Sequence, residues 1–160
     1  MQNITLICIG KLKESYLRDA VSEYTKRLSG LCKMNLIELP TEKLSDNPSQ
    51  KEIVNALESE GKKIIEKIPK GAYVYTMCIE GKQKTSEELS AEMENLAVKG
   101  YSNIVFIIGG SFGISDKVKS ASDFRLSMSK MTFPHQVARV MLLEQIYRAI
   151  QISIGTKYHK

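Results

Sequence analysis

The sequence predicts an α/β fold, a mostly parallel sheet with helices on both faces. Three observations predict it. Short β-branched runs alternate with stretches of helical apolar spacing along the whole 160 residues. One run, Ile104 to Ile108, is wholly apolar, as expected of a strand covered on both faces. No repeat, low-complexity tract or linker interrupts the alternation, and the length suits one full core, so a single domain over residues 1–160 is expected.

Ile4 to Ile9 is a β-branched run closed by Gly10, and from Ser15 to Leu28 the residues Leu17, Val21, Tyr24 and Leu28 fall at helical spacing. Met34 to Leu39 reads as a second strand, ended by Pro40 and a polar loop carrying Ser45, Asp46, Asn47 and Pro48. Ile53, Leu57, Ile64, Ile65 and Ile68 mark a long helix, with Gly61 as a weak point inside it and Pro69 beyond its end. Tyr73 to Ile79 is a third strand. Thr85, with Glu88 three residues later, forms a capping box that opens a helix closed by Gly100. Ile104 to Ile108 then runs into Gly109 and Gly110, and a short helix around Asp116 to Ser120 follows. A strand near Phe124 to Ser129 and a long helix from about His135 to Ile154 complete the chain.

The formal charge of +5 is unevenly placed. Residues 1–110 hold 15 basic and 15 acidic side chains, which cancel, so the excess lies in the last third, on Lys117, Lys119, Arg125, Lys130, Arg139, Arg148, Lys157 and Lys160. Such asymmetry attracts polyanions such as nucleic acid, although a solvated basic face is an alternative. Cys8, Cys32 and Cys78 are odd in number and far apart, which fits buried free thiols and neither a disulfide framework nor a metal site. With no long apolar span and no signal-like start, a cytoplasmic protein without membrane contact is expected.

Two segments carry candidate chemistry. Gly109-Gly110-Ser111-Phe112-Gly113 follows the most apolar strand, at the carboxyl edge where open α/β sheets place ligands. Glycine there permits positive φ and a close approach of ligand to backbone, although a tight strand-to-helix turn explains the spacing equally well. The Gly-Lys-Ser/Thr ending of a phosphate-binding loop is missing, as is the dinucleotide spacing. The second segment, Ser127 to His135, is a strand end and loop feeding the last helix, with Pro134 near its first turn. Both loops at one sheet edge would enclose a cleft lined by Met128, Met131 and Phe133, suited to a flat base or a thioether. On the last helix, His135 and Arg139 share a face with Leu142, Leu143, Ile146 and Ile150. Val137, Met141 and Ile152 lie opposite, with Glu144 and Arg148 spaced to bridge along the surface. A helix apolar on both sides is expected to have two partners, its own sheet and a second subunit.

These residues resemble those of the small SPOUT-class methyltransferases of large-subunit ribosomal RNA, the RlmH (formerly YbeA) family. The resemblance covers essentially the whole chain: Gly10-Lys11-Leu12-Lys13, the Ile108 to Gly113 turn, Met131-Thr132-Phe133-Pro134-His135, Arg139-Val140, Glu144 to Ala149, and terminal Tyr158-His159-Lys160. The family typically has proline before the final Tyr-His, where Lys157 stands here. The resemblance implies a knotted α/β fold, with a trefoil knot near the C-terminus, and a homodimer built on the last helix. It also implies S-adenosylmethionine held by Met77, by Gly109 and Gly110, and by Met128, Ser129, Lys130, Met131, Thr132 and Phe133. The implied substrate is a pseudouridine of 23S ribosomal RNA, methylated at N3 in the assembled ribosome. Positive charge from Arg139, His135 or Lys160 would favour the N3 anion, and His135 or His159 is the candidate base. No metal is called for. Two rival readings stay open: an RNA-binding module without cofactor, and an enzyme using the cleft for a nucleotide.

Overall fold

The computed structural model describes residues 1–160. Five strands, β1 (Asn3–Ile9), β2 (Lys33–Leu39), β3 (Tyr73–Gln83), β4 (Asn103–Ile108) and β5 (Phe124–Ser127), alternate with five helices. The helices are α1 (Ser15–Leu28), α2 (Gln50–Glu66), α3 (Ser86–Val98), α4 (Asp116–Ala121) and α5 (His135–Ser153). Every strand pair is parallel, in the order β2-β1-β4-β3-β5.

That order fixes the layers. The steps β1 to β2 and β3 to β4 run one way along the sheet, and β2 to β3 and β4 to β5 run the other. With right-handed crossovers, α1 and α3 lie on one face and α2 and α4 on the opposite one. Alternation sorts the core accordingly: Ile4, Leu6, Ile104, Phe106 and Ile108 pack under the first face, and Ile7, Ile9, Val105 and Ile107 under the second. The helix α5 leaves edge strand β5 and packs against both α1 and α3, adding Leu142, Leu143, Ile146 and Ala149 to the first face. As its spacing requires, the side holding Arg139 and these residues is buried, while Val137, Met141 and Ile152 stay half-buried outside.

Both α2 and α3 begin on capping boxes, Ser49 with Glu52 and Thr85 with Glu88, each satisfying two otherwise orphaned N–H groups. Two details depart from the sequence pattern. Gly61 does not weaken α2: a Cβ there would fall 2.4 Å from Ser115 Oγ, so the missing side chain lets α2 lie against α4. The strand β3 continues past Ile79 to Gln83 through an irregularity, pairing both Met77 and Lys82 with Leu126 of β5 and looping Cys78 to Gly81 out of register. Gly81 closes that bulge, since a Cβ would sit 2.5 Å from the Arg125 carbonyl oxygen.

Candidate active site

Adjacent strands β3 and β4 send their chains to opposite faces, which opens a crevice at their carboxyl ends. The β3 bulge, the β4–α4 turn and the β5–α5 loop surround a cavity of about 730 Å³ there. Its wall brings together Met77, Gly109, Gly110, Met128, Ser129, Met131, Thr132, Phe133 and His135. Lys130, although inside the same loop, points out to solvent and is not part of the wall.

The glycine turn is rigid for reasons internal to it. The Gly113 N–H donates to the Gly110 carbonyl at 3.0 Å, the two residues form an antiparallel bridge, and Gly113 takes φ +88°. A Cβ on Gly109 would lie 2.2 Å from the Gly113 carbonyl oxygen, so Gly109 is needed by the turn before any ligand arrives. The facing loop is tied by its serines: Ser127 Oγ donates to the Ser129 carbonyl at 3.0 Å, and the Met131 N–H donates to Ser129 Oγ at 3.0 Å. Pro134 caps α5 without a side-chain hydrogen bond, leaving the helix start open beside the cavity residues His135 and Ala138.

Several wall residues carried no sequence signal strong enough to single them out. Ile79, Cys78 and Glu80 arrive on the bulge, for which glycine inside a strand pattern is the one available hint. Phe112, by contrast, comes with the glycine turn that the sequence singles out, and Lys119 reaches in from α4 to pair with Glu80 at 2.5 Å. That hydrogen bond pulls the Glu80 carboxyl below its ordinary range and raises the Lys119 ammonium above its own.

Arg139 is not on the wall. It is 1% exposed, donating through Nη1 to Glu38 Oε2 at 2.6 Å and through Nη2 to the Gly10 carbonyl at 3.0 Å. Its guanidinium ties the N-terminal part of α5 to the carboxyl ends of β1 and β2. His135 is half-buried, its Nδ1 enclosed without a hydrogen-bond partner. Burial, and then the neighbouring Arg139 charge, push its pKa below the usual imidazole value, so the ring is neutral at pH 7.

His159 and Lys160 lie elsewhere. The tail folds back on its own chain: Tyr158 Oη donates to Glu144 at 2.9 Å, and His159 contacts Glu87 at 2.7 Å and Arg148 at 3.2 Å. Arg148 also bridges Glu144 at 2.7 Å, as the spacing predicted. From His135 to Arg148 along α5 is about 20 Å at 1.5 Å per residue, so the tail does not reach the cavity of its own chain. The basic excess is divided as well. Lys119, Arg139 and Arg148 are paired with glutamates, while Lys117, Arg125, Lys130, Lys157 and Lys160 remain exposed. No helix is long and apolar enough to cross a membrane, and no cluster of three or more His, Cys, Asp or Glu side chains is placed to hold a metal ion.

The family model described as "Predicted SPOUT methyltransferase" matches residues 2–159, and the chain belongs to that family. It is therefore a methyltransferase, and its reaction needs a methyl donor. Within the family the resemblance narrows to a particular enzyme. Ribosomal RNA large subunit methyltransferase H of Clostridium acetobutylicum is 54% identical over 158 residues, 99% of either chain. The protein of the same name from Clostridium botulinum strain Alaska E43 is 53% identical with the same coverage. A solved structure, of a probable methylase family protein from Haemophilus influenzae Rd KW20, aligns with a TM-score of 0.53 at 11% identity. It covers 99% of this chain and 71% of that one, a likeness of fold alone.

Proposed function

We propose that the protein transfers a methyl group from S-adenosylmethionine to N3 of a pseudouridine in 23S ribosomal RNA of the large subunit, working in the cytoplasm as a homodimer. The single observation that carries the reading is that one cavity collects Met77, the glycine turn and most of the Met128 to Phe133 loop. The relatives named above supply the substrate class.

The cavity suits the donor. Its volume falls in the range of about 300–1,000 Å³ typical of small-molecule sites. Met77, Leu126, Met128 and Phe133 offer apolar walls for an adenosyl group, and Gly109 and Gly110 remove side chains where backbone must approach. When bound, S-adenosylmethionine supplies a methyl already activated on sulfonium, so the protein's work is to orient two partners and move one proton. The neutral His135 imidazole at the open start of α5 is the base candidate inside the cavity; it can take a proton from a weakly acidic N3–H. Arg139 is given a positioning role in place of a contact to the RNA, because its charge is enclosed with Glu38.

His159 and Lys160 act, on this reading, across a dimer. A pairing through the half-buried outer side of α5, with Val137, Met141 and Ile152, offers one protomer's tail to its partner's cavity. The C-terminal trefoil knot belongs to the same reading, supported by α5 leaving an edge strand to pack against both α1 and α3. Mass mapping of ribosomal RNA from a strain lacking the protein tests the function. A single methyl missing from one pseudouridine, restored by the wild-type chain, is expected. An unchanged methylation map overturns the pseudouridine assignment, and no calorimetric binding of S-adenosylmethionine overturns the donor.

A further inference from the structure

Three of the large apolar side chains that stay exposed, Ile79 at 52%, Phe112 at 51% and Met131 at 73%, belong to the cavity, one from each of its three loops. The mouth of the site is thus greasy on every side. Phe112 differs from the other two in being flat and aromatic. Ser111 and Phe112 are the central residues of the turn closed between Gly110 and Gly113, with Gly109 packed on the Gly113 carbonyl. Most of the other rings of the chain find partners, among them Tyr75 on Phe106 and Tyr147 on Tyr158. No ring or cation stacks on Phe112.

Resting on the substrate read above, we propose that Phe112 is the platform on which the acceptor base of the RNA stacks, positioning it over the mouth of the cavity. A base inside folded RNA is stacked on its neighbours, and its N3 cannot meet a donor enclosed in a protein cleft until it leaves them. Leaving costs stacking energy, which an aromatic face at the point of entry offsets. Ile79 and Met131 close the apolar edges around the base. Lys117, just beyond the turn, and Lys130, beside Met131, are exposed and form no ion pair, and they complement the phosphates of the flanking nucleotides. The sulfonium site and the stacking site are then separate parts of one cavity: the walls hold the donor and the rim holds the acceptor.

The test is steady-state methyl transfer from S-adenosylmethionine to ribosomes purified from a strain lacking the enzyme, with calorimetry of S-adenosylmethionine on the same dimeric proteins. Phe112→Ala is expected to raise KM for ribosomes about 10-fold or more, the measure of one lost base–aromatic stack, while cofactor Kd stays within about twofold. Phe112→Trp restores KM, and Phe112→Leu, apolar but without a π face, does not. An unchanged KM in an active Phe112→Ala enzyme overturns the proposal, as does a leucine variant equal to wild type. A parallel loss of cofactor affinity also overturns it, since the ring would then be covering the donor. A wild-type enzyme that binds S-adenosylmethionine but methylates no ribosomal RNA is a different failure: it removes the substrate reading, and the stacking role with it.

Discussion

Replacing Arg139 by methionine removes the one charged group that joins α5 to the far side of the sheet. Methionine keeps most of the stem's packing volume, so the loss isolates the guanidinium. That group makes a hydrogen bond of 2.6 Å to Glu38 and one of 3.0 Å to the Gly10 carbonyl. Hydrogen bonds to charged groups contribute about 1.5–3 kcal/mol each, which sets an upper figure of about 6 kcal/mol. The Glu38 side chain is 32% exposed and rehydrates when its partner leaves, which brings the expected cost to about 3 kcal/mol. With a urea m-value of about 2 kcal/mol/M, the unfolding midpoint falls by about 1.5 M. The measurement is urea denaturation of wild type, Arg139→Met, Glu38→Gln and the double variant at one fixed protein concentration, since association shifts the midpoint. The double variant is expected to lose clearly less than the sum of the single losses. A cost under about 1 kcal/mol for Arg139→Met, or strict additivity in the cycle, refutes the keystone role.

Neighbouring glycines are expected to behave differently. Gly109→Ala drives a methyl into the Gly113 carbonyl, costs about 1–3 kcal/mol and abolishes S-adenosylmethionine binding in calorimetry; Gly110→Ala meets only Ile9 Cγ2, at 3.3 Å, and retains the fold. Because the His135 pKa is depressed in the folded protein, the unfolded chain takes up that proton first as pH falls below about 6.5, so acid destabilises the fold. A His135→Gln variant is therefore expected to lose less stability between pH 7 and 5 than wild type, and an equal loss shows that the ring is not held neutral. Removing Tyr158 to Lys160 is expected to abolish methyl transfer, because on the dimer reading each cavity then lacks the tail its partner supplies. Mixing tail-deleted protomers with protomers carrying Gly109→Ala then regains activity if the tail serves its partner.

Much of the fold was legible because the relevant forces are local. The capping box at Thr85 and Glu88 and the alternation of Ile4 to Ile9 involve neighbours a few residues apart, and their physics is written in the order of the residues. The two-sided burial of Ile104 to Ile108 announced a central strand in the same way. The β3 bulge was not legible: Glu80-Gly81-Lys82 reads as a strand's polar end, and only pairing with β5 carries the backbone on to Gln83.

For the site, the glycine turn, most of the Met128 to Phe133 loop and His135 were identified from the sequence and do converge, because all three follow strand ends and parallel strands deliver their ends to one edge. Lys130 lies in the same loop yet faces solvent, and an exposed and an inward residue of one loop look alike in sequence. The placement of Arg139 and the tail was decided only by tertiary structure. Arg139 lies 101 residues from Glu38, and they meet because β1, between them, puts Gly10 and the end of β2 under the start of α5. His159 is the last residue but one, and the distance between it and His135 follows from the length of α5 and a turn at Gly155 with φ +74°. Periodicity reports which side of an element is buried. What that side is buried against depends on strand order, and strand order is set by contacts between segments far apart in the chain.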